Sequence, residues 1–97
     1  MAAPEALSER EIAAALAACP DWTRADDGAL VLRRRLPSAA AAVGFVAAVG
    51  ALAERQGHHP ELRWVYREVS LRLVTHDAGD AVTARDVELM RAISELP

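Results

Sequence analysis

An α+β fold in two layers, helices packed on a sheet, is predicted for this chain by three observations. Helix-start signatures stand near both ends, at Ser8 to Glu11 and at Thr83 to Asp86. In each, a hydroxyl residue precedes a carboxylate by three positions, the spacing of a capping box. Between them an Ala-rich stretch of helical length runs from Ser38 to about Arg55. Alternating with these stretches are segments rich in Val and Leu, Leu30 to Leu36 and Glu61 to Thr75. The order reads α-β-β-α-β(β)-α.

The elements follow in turn. Ile12, Leu16 and Cys19 keep helical spacing after Ser8, and Pro20 ends that helix. Trp22 to Ala25 and Leu30 to Leu36 flank Asp26-Asp27-Gly28, a turn signal, so they read as a hairpin. Pro37 breaks the second strand, and Ser38 caps the next helix. That helix is expected to turn Val43, Val46, Val49 and Ala53 toward the core, with Phe45 and Leu52 on the flanks. Gly57 is its left-handed stop. In Glu61 to Thr75, Val65, Val69, Leu71 and Leu73 share one parity. No Gly or Asn marks a turn near Arg67-Glu68, so the residues alone favour one long strand over two short ones. Asp77 to Ala81 reads as a loop, and a last helix runs from Thr83 to about Leu96.

Composition narrows the function. Ninety-seven residues fit one domain with one modest core. The apolar fraction is 53%, but much of it is alanine, and aromatics are only 4%. A core this thin favours self-association. The net charge is −3, with 11 Arg and no Lys, which argues against a nucleic-acid binder. The single cysteine, Cys19, excludes an internal disulfide framework. Met1 to Glu11 lacks the apolar core of a signal peptide, and Ala39 to Ala53 is too short to span a bilayer. A soluble, cytoplasmic protein is expected, without a membrane partner.

The chemistry concentrates in the histidines. All three fall in one pattern with acidic neighbours: Glu54, His58-His59-Pro60, Tyr66, Thr75-His76-Asp77 and Asp86. Imidazole exchanges protons near neutrality, so three rings in one cleft suggest acid–base work. His58 and His59 follow a helix stop, and Pro60 stiffens the segment after them. In an extended segment the two side chains point opposite ways. Tyr66 shares the parity of His76, which sets both over one side of the sheet if the strand is unbroken. Asp86 completes a capping box, and the same carboxylate can orient an imidazole. No HExxH spacing, cysteine pair or Gly-rich phosphate loop is present, so no metal and no nucleotide cofactor is expected.

The pattern Glu54-x-x-x-His58-His59-Pro60, Tyr66, Thr75-His76-Asp77, Asp86 resembles the pterin-4a-carbinolamine dehydratases, over nearly the whole chain. Trp22, Phe45 and Thr83-Ala84-Arg85-Asp86-Val87 fall where that family has similar residues. The resemblance implies a four-stranded antiparallel sheet with three helices on one face (α-β-β-α-β-β-α), which divides Glu61 to Thr75 in two. It implies a dehydratase, a lyase converting 4a-hydroxytetrahydropterin to quinonoid dihydropterin in tetrahydrobiopterin recycling. His58, His59 and His76 would be catalytic. Glu54, Pro60, Tyr66, Thr75, Asp77 and Asp86 would bind or orient the substrate. The pterin is the substrate, and neither cofactor nor metal is used. Family members form dimers or tetramers and serve aromatic amino acid hydroxylases.

Three departures from the family pattern stand out. The loop from His76 to Asp86 is one residue longer, with Gly79-Asp80-Ala81-Val82 where Gly-Gly-Leu is common. Arg33-Arg34-Arg35 replaces frequent aromatics, and Trp64 stands at an often polar position. Such changes are expected to alter the pocket rim or the substrate preference. The competing function is that of a non-catalytic relative, a protein-binding, assembly or transcription-cofactor module. The retention of all three histidines favours the enzyme.

Overall fold

Both capping boxes form. In the computed structural model, which describes residues 4–97, Ser8 Oγ accepts from Glu11 N at 3.1 Å and Glu11 Oε1 accepts from Ser8 N at 3.0 Å. They open α1 (Glu9–Ala18). β1 (Trp22–Arg24) and β2 (Leu30–Arg35) pair antiparallel across the Asp26-Asp27-Gly28 turn, where Gly28 takes a φ of +99°. The Asp27 carboxylate pairs with Arg72, and that hydrogen bond holds it below the ordinary carboxylate range. Ser38 caps α2 (Ala39–Gln56), accepting from Ala41 N at 3.1 Å. β3 (Glu61–Val65), β4 (Glu68–Leu73) and α3 (Ala84–Ser94) complete the chain.

The sheet is four-stranded and antiparallel, in the order β1-β2-β4-β3. Leu30 pairs with Leu73 and Leu32 with Leu71, which puts the leucines of the two central strands on one face. That face meets all three helices in one core. Ile12 and Ala15 come from α1, Phe45 and Val49 from α2, and Leu89, Met90 and Ile93 from α3. The Trp22 indole is buried there and donates to Ser94 Oγ at 3.1 Å, so its N–H keeps a partner away from water. Arg33, Arg35, Arg63 and Arg72 alternate onto the opposite face, half-buried or exposed.

Two expectations are corrected. Glu61 to Thr75 is two strands joined by a two-residue turn at Tyr66-Arg67, not one long strand. The turn lacks Gly and Asn because its support comes from outside it. Leu36 N donates to Arg67 O, and Arg67 Nε donates to Leu36 O, both at 2.8 Å. The Trp64 indole donates to Tyr66 O at 2.6 Å. These bonds hold Tyr66 at a φ of +55°, a left-handed conformation that side-chain-bearing residues disfavour. The turn also switches parity. Trp64 pairs with Val69 and Leu62 with Leu71, so Leu62 packs inward while Val65 is exposed on the opposite face. The second correction is the phase of α2. Ala42, Phe45, Val49 and Ala53 are its buried residues, and Val43 is exposed. Alanine surrounds this helix, so the apolar pattern fixes its phase poorly, and the bulk of Phe45 decides it.

The strained turn generates a test. Tyr66→Gly should raise the unfolding free energy by about 0.5–1 kcal/mol, seen as a higher urea midpoint, because glycine enters the left-handed region without steric cost. A lower midpoint would contradict the left-handed Tyr66.

Candidate active site

The site grows from the ends of three elements. Gly57 takes a φ of +63° at the end of α2 and turns the chain back on its last turn. His58 N then donates to Ala53 O at 3.1 Å, which sets the His58 ring beside the helix end. β4 delivers Thr75, whose N donates to Ala81 O at 2.9 Å and whose O accepts from Asp80 N at 3.1 Å. This closes a loop containing the 3-10 turn His76–Ala78. α3 begins alongside, with Asp86 in its first turn.

Asp86 joins the three elements. Its Oδ2 accepts from Thr83 N at 2.9 Å and from Thr75 Oγ1 at 2.7 Å. Its Oδ1 lies 2.6 Å from His58 Nε2. An ionised carboxylate only accepts, so Nε2 carries the proton in that contact. Thr83 Oγ1 lies 2.7 Å from Thr75 Oγ1 and accepts from Arg85 N at 3.3 Å. With the Thr75 hydroxyl given to Asp86, the Thr83 hydroxyl donates to Thr75, and every oxygen is satisfied. Asp86 is 0% exposed and the His58 side chain 11%. Thr75, Thr83 and Asp86 are also the buried polar residues among the described ones.

Each histidine has a carboxylate. His59 Nε2 lies 3.0 Å from Glu54 Oε1, on the last turn of α2. His76 Nδ1 lies 2.6 Å from Asp80 Oδ1. These two pairs are open to water: the His59 side chain is 61% exposed and that of His76 is 86%. The adjacent His58 and His59 thus differ in burial, as the alternation of an extended segment predicts. Among the described residues, no hydrogen bond engages the second nitrogen of any of the three rings. Every ring has one nitrogen held and one free.

One cavity of about 220 Å³ gathers the three rings. Gly57, His58, His59, Val74, Thr75, His76, Asp77 and Arg85 line it. Glu54 stands beside it through His59, Asp86 beneath it through His58 and Thr75, and half-buried Pro60 follows the pair. Tyr66 does not join them. It sits exposed on the hairpin turn, with the whole of β4 (Glu68–Leu73) between it and His76, about 20 Å at strand rise. The expectation that Tyr66 and His76 share one side of an unbroken strand fails with that strand. Arg33, Arg34, Arg35 and Trp64 do not line this cavity either, so the expected change at the pocket rim does not come from them.

Two residues near the rings were missed. Arg85 lines the cavity and lies 3.9 Å from Asp77. Its place inside the second capping box, one residue before Asp86, was the available signal. In the sequence Asp80 reads only as part of a longer loop. Its spacing of four from His76 was the signal, but the loop has no regular period to make it legible. Among the described residues no three His, Cys, Asp or Glu side chains converge on a metal-sized site, and no helix is long and apolar enough to cross a membrane.

Fold and site together define a class: a small α+β protein with three carboxylate-held histidines around one cleft. Comparison with known proteins narrows the class. The family model for pterin 4 alpha carbinolamine dehydratase matches residues 5–96. A Chloroflexus aggregans protein, provisionally named a pterin-4-alpha-carbinolamine dehydratase, is 43% identical over 90 residues, covering 93% of this chain and 95% of its own. A Nocardia farcinica protein of the same provisional name is 44% identical over 92 residues, covering 95% of each chain. The crystal structure of a transcriptional coactivator/pterin dehydratase from Brucella melitensis superposes with a TM-score of 0.85 at 31% identity, covering 91% of this chain and 94% of that one. This chain belongs to the pterin-4-alpha-carbinolamine dehydratase family.

The buried network generates a stability test. Asp86→Ala removes the cap of α3 and the partner of the Thr75 hydroxyl together. It should cost about 2–4 kcal/mol, a lost cap plus buried groups left unpaired. Asp86→Asn keeps an oxygen for the cap and should cost less. Urea denaturation of both variants checks the order, and equal costs would contradict the shared role of this carboxylate.

Proposed function

We propose that the protein dehydrates 4a-hydroxytetrahydropterin to quinonoid dihydropterin by histidine acid–base catalysis. One observation carries the reading: three imidazoles around one cavity, each with one nitrogen held by a carboxylate and one left free. The reaction breaks the C4a–O bond and removes the N5 proton. A protonated imidazole donates to the departing hydroxyl, which leaves as water. A neutral imidazole takes the N5 proton, and its electron pair forms the C4a=N5 double bond. One ring loses a proton and another gains one, so the net charge of the site is unchanged, and proton exchange with water restores each ring to its starting state. The carboxylates fix which nitrogen carries the remaining proton.

Within this reading, Asp77 and Arg85 offer polar groups to the pterin ring at the cavity wall, and Thr75 keeps Asp86 oriented. The natural context is tetrahydrobiopterin recycling beside an aromatic amino acid hydroxylase, in the cytoplasm. No cofactor and no metal takes part. A coactivator role, which the name of the Brucella relative carries beside dehydratase, is the second reading. It leaves three carboxylate-held histidines without work, which is why catalysis is preferred.

The protein is further proposed to act as a dimer or tetramer. The outer face of α2 carries Ala40, Val43, Gly44, Ala47, Gly50 and Ala51, all exposed and uncharged. A Cβ added at Gly44 would meet nothing within 4 Å in the protomer. Glycine in mid-helix costs about 1 kcal/mol relative to alanine, and close approach by a second copy would offset this.

Three outcomes are expected. His59→Ala and His76→Ala should each lower kcat about 10²-fold or more, with unchanged circular dichroism, because both rings are exposed and hold no structure. Near-wild-type rates in both would remove the catalytic assignment. Activity should survive exhaustive chelation; loss on chelation with recovery on adding Zn²⁺ would overturn the metal-free mechanism. Gly44→Leu should keep the fold and shift the mass seen by light scattering toward the monomer. An unaltered oligomer would move the interface to another surface, and a monomeric wild-type protein would end the assembly proposal.

A further inference from the structure

We infer that Asp80 is a positioning residue for His76, holding its imidazole in the tautomer protonated at Nδ1 and reserving Nε2 for the substrate. The inference rests on the dehydratase reading and deepens it, because Asp80 lies in the loop that departs from the family pattern.

Geometry carries the argument. Asp80 Oδ1 lies 2.6 Å from His76 Nδ1, the one hydrogen bond made by that ring among the described residues. His76 is otherwise 86% exposed, and no packing fixes it. A free imidazole in water turns about its bonds and exchanges its proton between two nitrogens. A carboxylate on Nδ1 stops both motions, since it accepts only a proton that Nδ1 carries. The remaining nitrogen, Nε2, then has a lone pair in the neutral ring and an N–H in the charged ring. Either proton step assigned to His76 runs at Nε2 without rearrangement.

The backbone is set to bring this carboxylate into place. Asp80 has a φ of +64°, and Gly79 before it a φ of +67°. An aspartate in the left-handed region is uncommon, and such conformations persist where the surroundings enforce them. Here the enforcement is visible. Asp80 N donates to Thr75 O at 3.1 Å, and Thr75 N donates to Ala81 O at 2.9 Å. Asp80 is therefore clamped to Thr75, the residue next to His76. Ring and carboxylate leave from two ends of one closed loop. The nearby cation does not compete for it: the Arg72 guanidinium is committed to Asp27 and Glu61.

The left-handed backbone supplies a clean variant. Asp80→Gly removes the carboxylate and suits the same φ, so the loop has no reason to rearrange. Asp80→Asn keeps an oxygen for Nδ1–H and also tolerates this conformation. Two readouts are needed. Nitrogen-15 NMR of the histidine rings, at a pH where His76 is neutral, should show the Nδ1–H tautomer of His76 in the wild type. It should show mainly the Nε2–H tautomer in Asp80→Gly, and a return to Nδ1–H in Asp80→Asn. In the dehydration assay, Asp80→Gly should lower kcat by about 3- to 10-fold, as fits an exposed charge-assisted contact, with KM changed less than about twofold. Asp80→Asn should recover most of that loss. An unchanged tautomer in Asp80→Gly, or an unchanged kcat, overturns the role of Asp80. Wild-type protein with no dehydratase activity sinks the dehydratase reading instead, and the tautomer comparison still decides whether Asp80 positions His76.

Discussion

The buried Asp86 carboxylate is the contact through which the end of the sheet, the start of α3 and the end of α2 are fitted together. It is 0% exposed, and a buried charge is tolerated only with partners. Thr83 N, Thr75 Oγ1 and His58 Nε2 are those partners, and they come from the cap of α3, the end of the sheet and the end of α2. None can shift without leaving a buried oxygen exposed to a low-dielectric interior. The network thus fixes where His58 stands, and through Thr75 it fixes where His76 begins. One carboxylate serves as helix cap, strand anchor and histidine partner. A cap alone would not need burial, and an orienting group alone would not need Thr83 N.

Around this anchored pair the site is graded from buried to exposed. His58 lies inside with Asp86, while His59 and His76 lie outside with Glu54 and Asp80. The exposed pairs gain little stability from their charges, because water screens them. Their value is geometric: each names one ring nitrogen as held. In the proposed dehydration, which gives one proton and takes another, such rings have their free nitrogens defined before substrate arrives. The cleft is small and open, so its walls do little of this orienting, and the carboxylates do it ring by ring.

Local chemistry made much of this legible in the sequence. Ser8/Glu11 and Thr83/Asp86 announced two helix starts, and Gly57 announced the stop that sets His58. The clustering of His58, His59 and His76 with acidic neighbours pointed to the one cavity that the three rings line, and the resemblance to the family implied the divided strand. What the residues did not disclose depended on distant partners. The Tyr66-Arg67 turn has no turn residues of its own, because Leu36 and the Trp64 indole hold it. A two-residue turn also reverses parity and sends Val65 outward, against the single parity of an unbroken strand. The phase of α2 was blurred because alanine is apolar in every direction. Asp80 went unassigned because its partner depends on a left-handed backbone that no aspartate advertises.

The composition of α2 links core, site and surface. Its buried side is carried by Phe45 and Val49, with Ala42 and Ala53 allowing α2 to pack close. Its final turn carries Glu54, and its cap sets His58 and His59. Alanine has the highest helix propensity, so this helix stays regular up to Gly57 although its outer face has no side chains large enough to brace it. Regularity matters at that end. A frayed last turn would release Ala53 O and Glu54 O, the carbonyls that the Gly57 and His58 amides return to. The His58 ring would then leave Asp86, and the Asp86 network would lose its third partner. A helix rich in alanine therefore protects the site from a distance, by holding the carbonyls on which the histidine pair is hung.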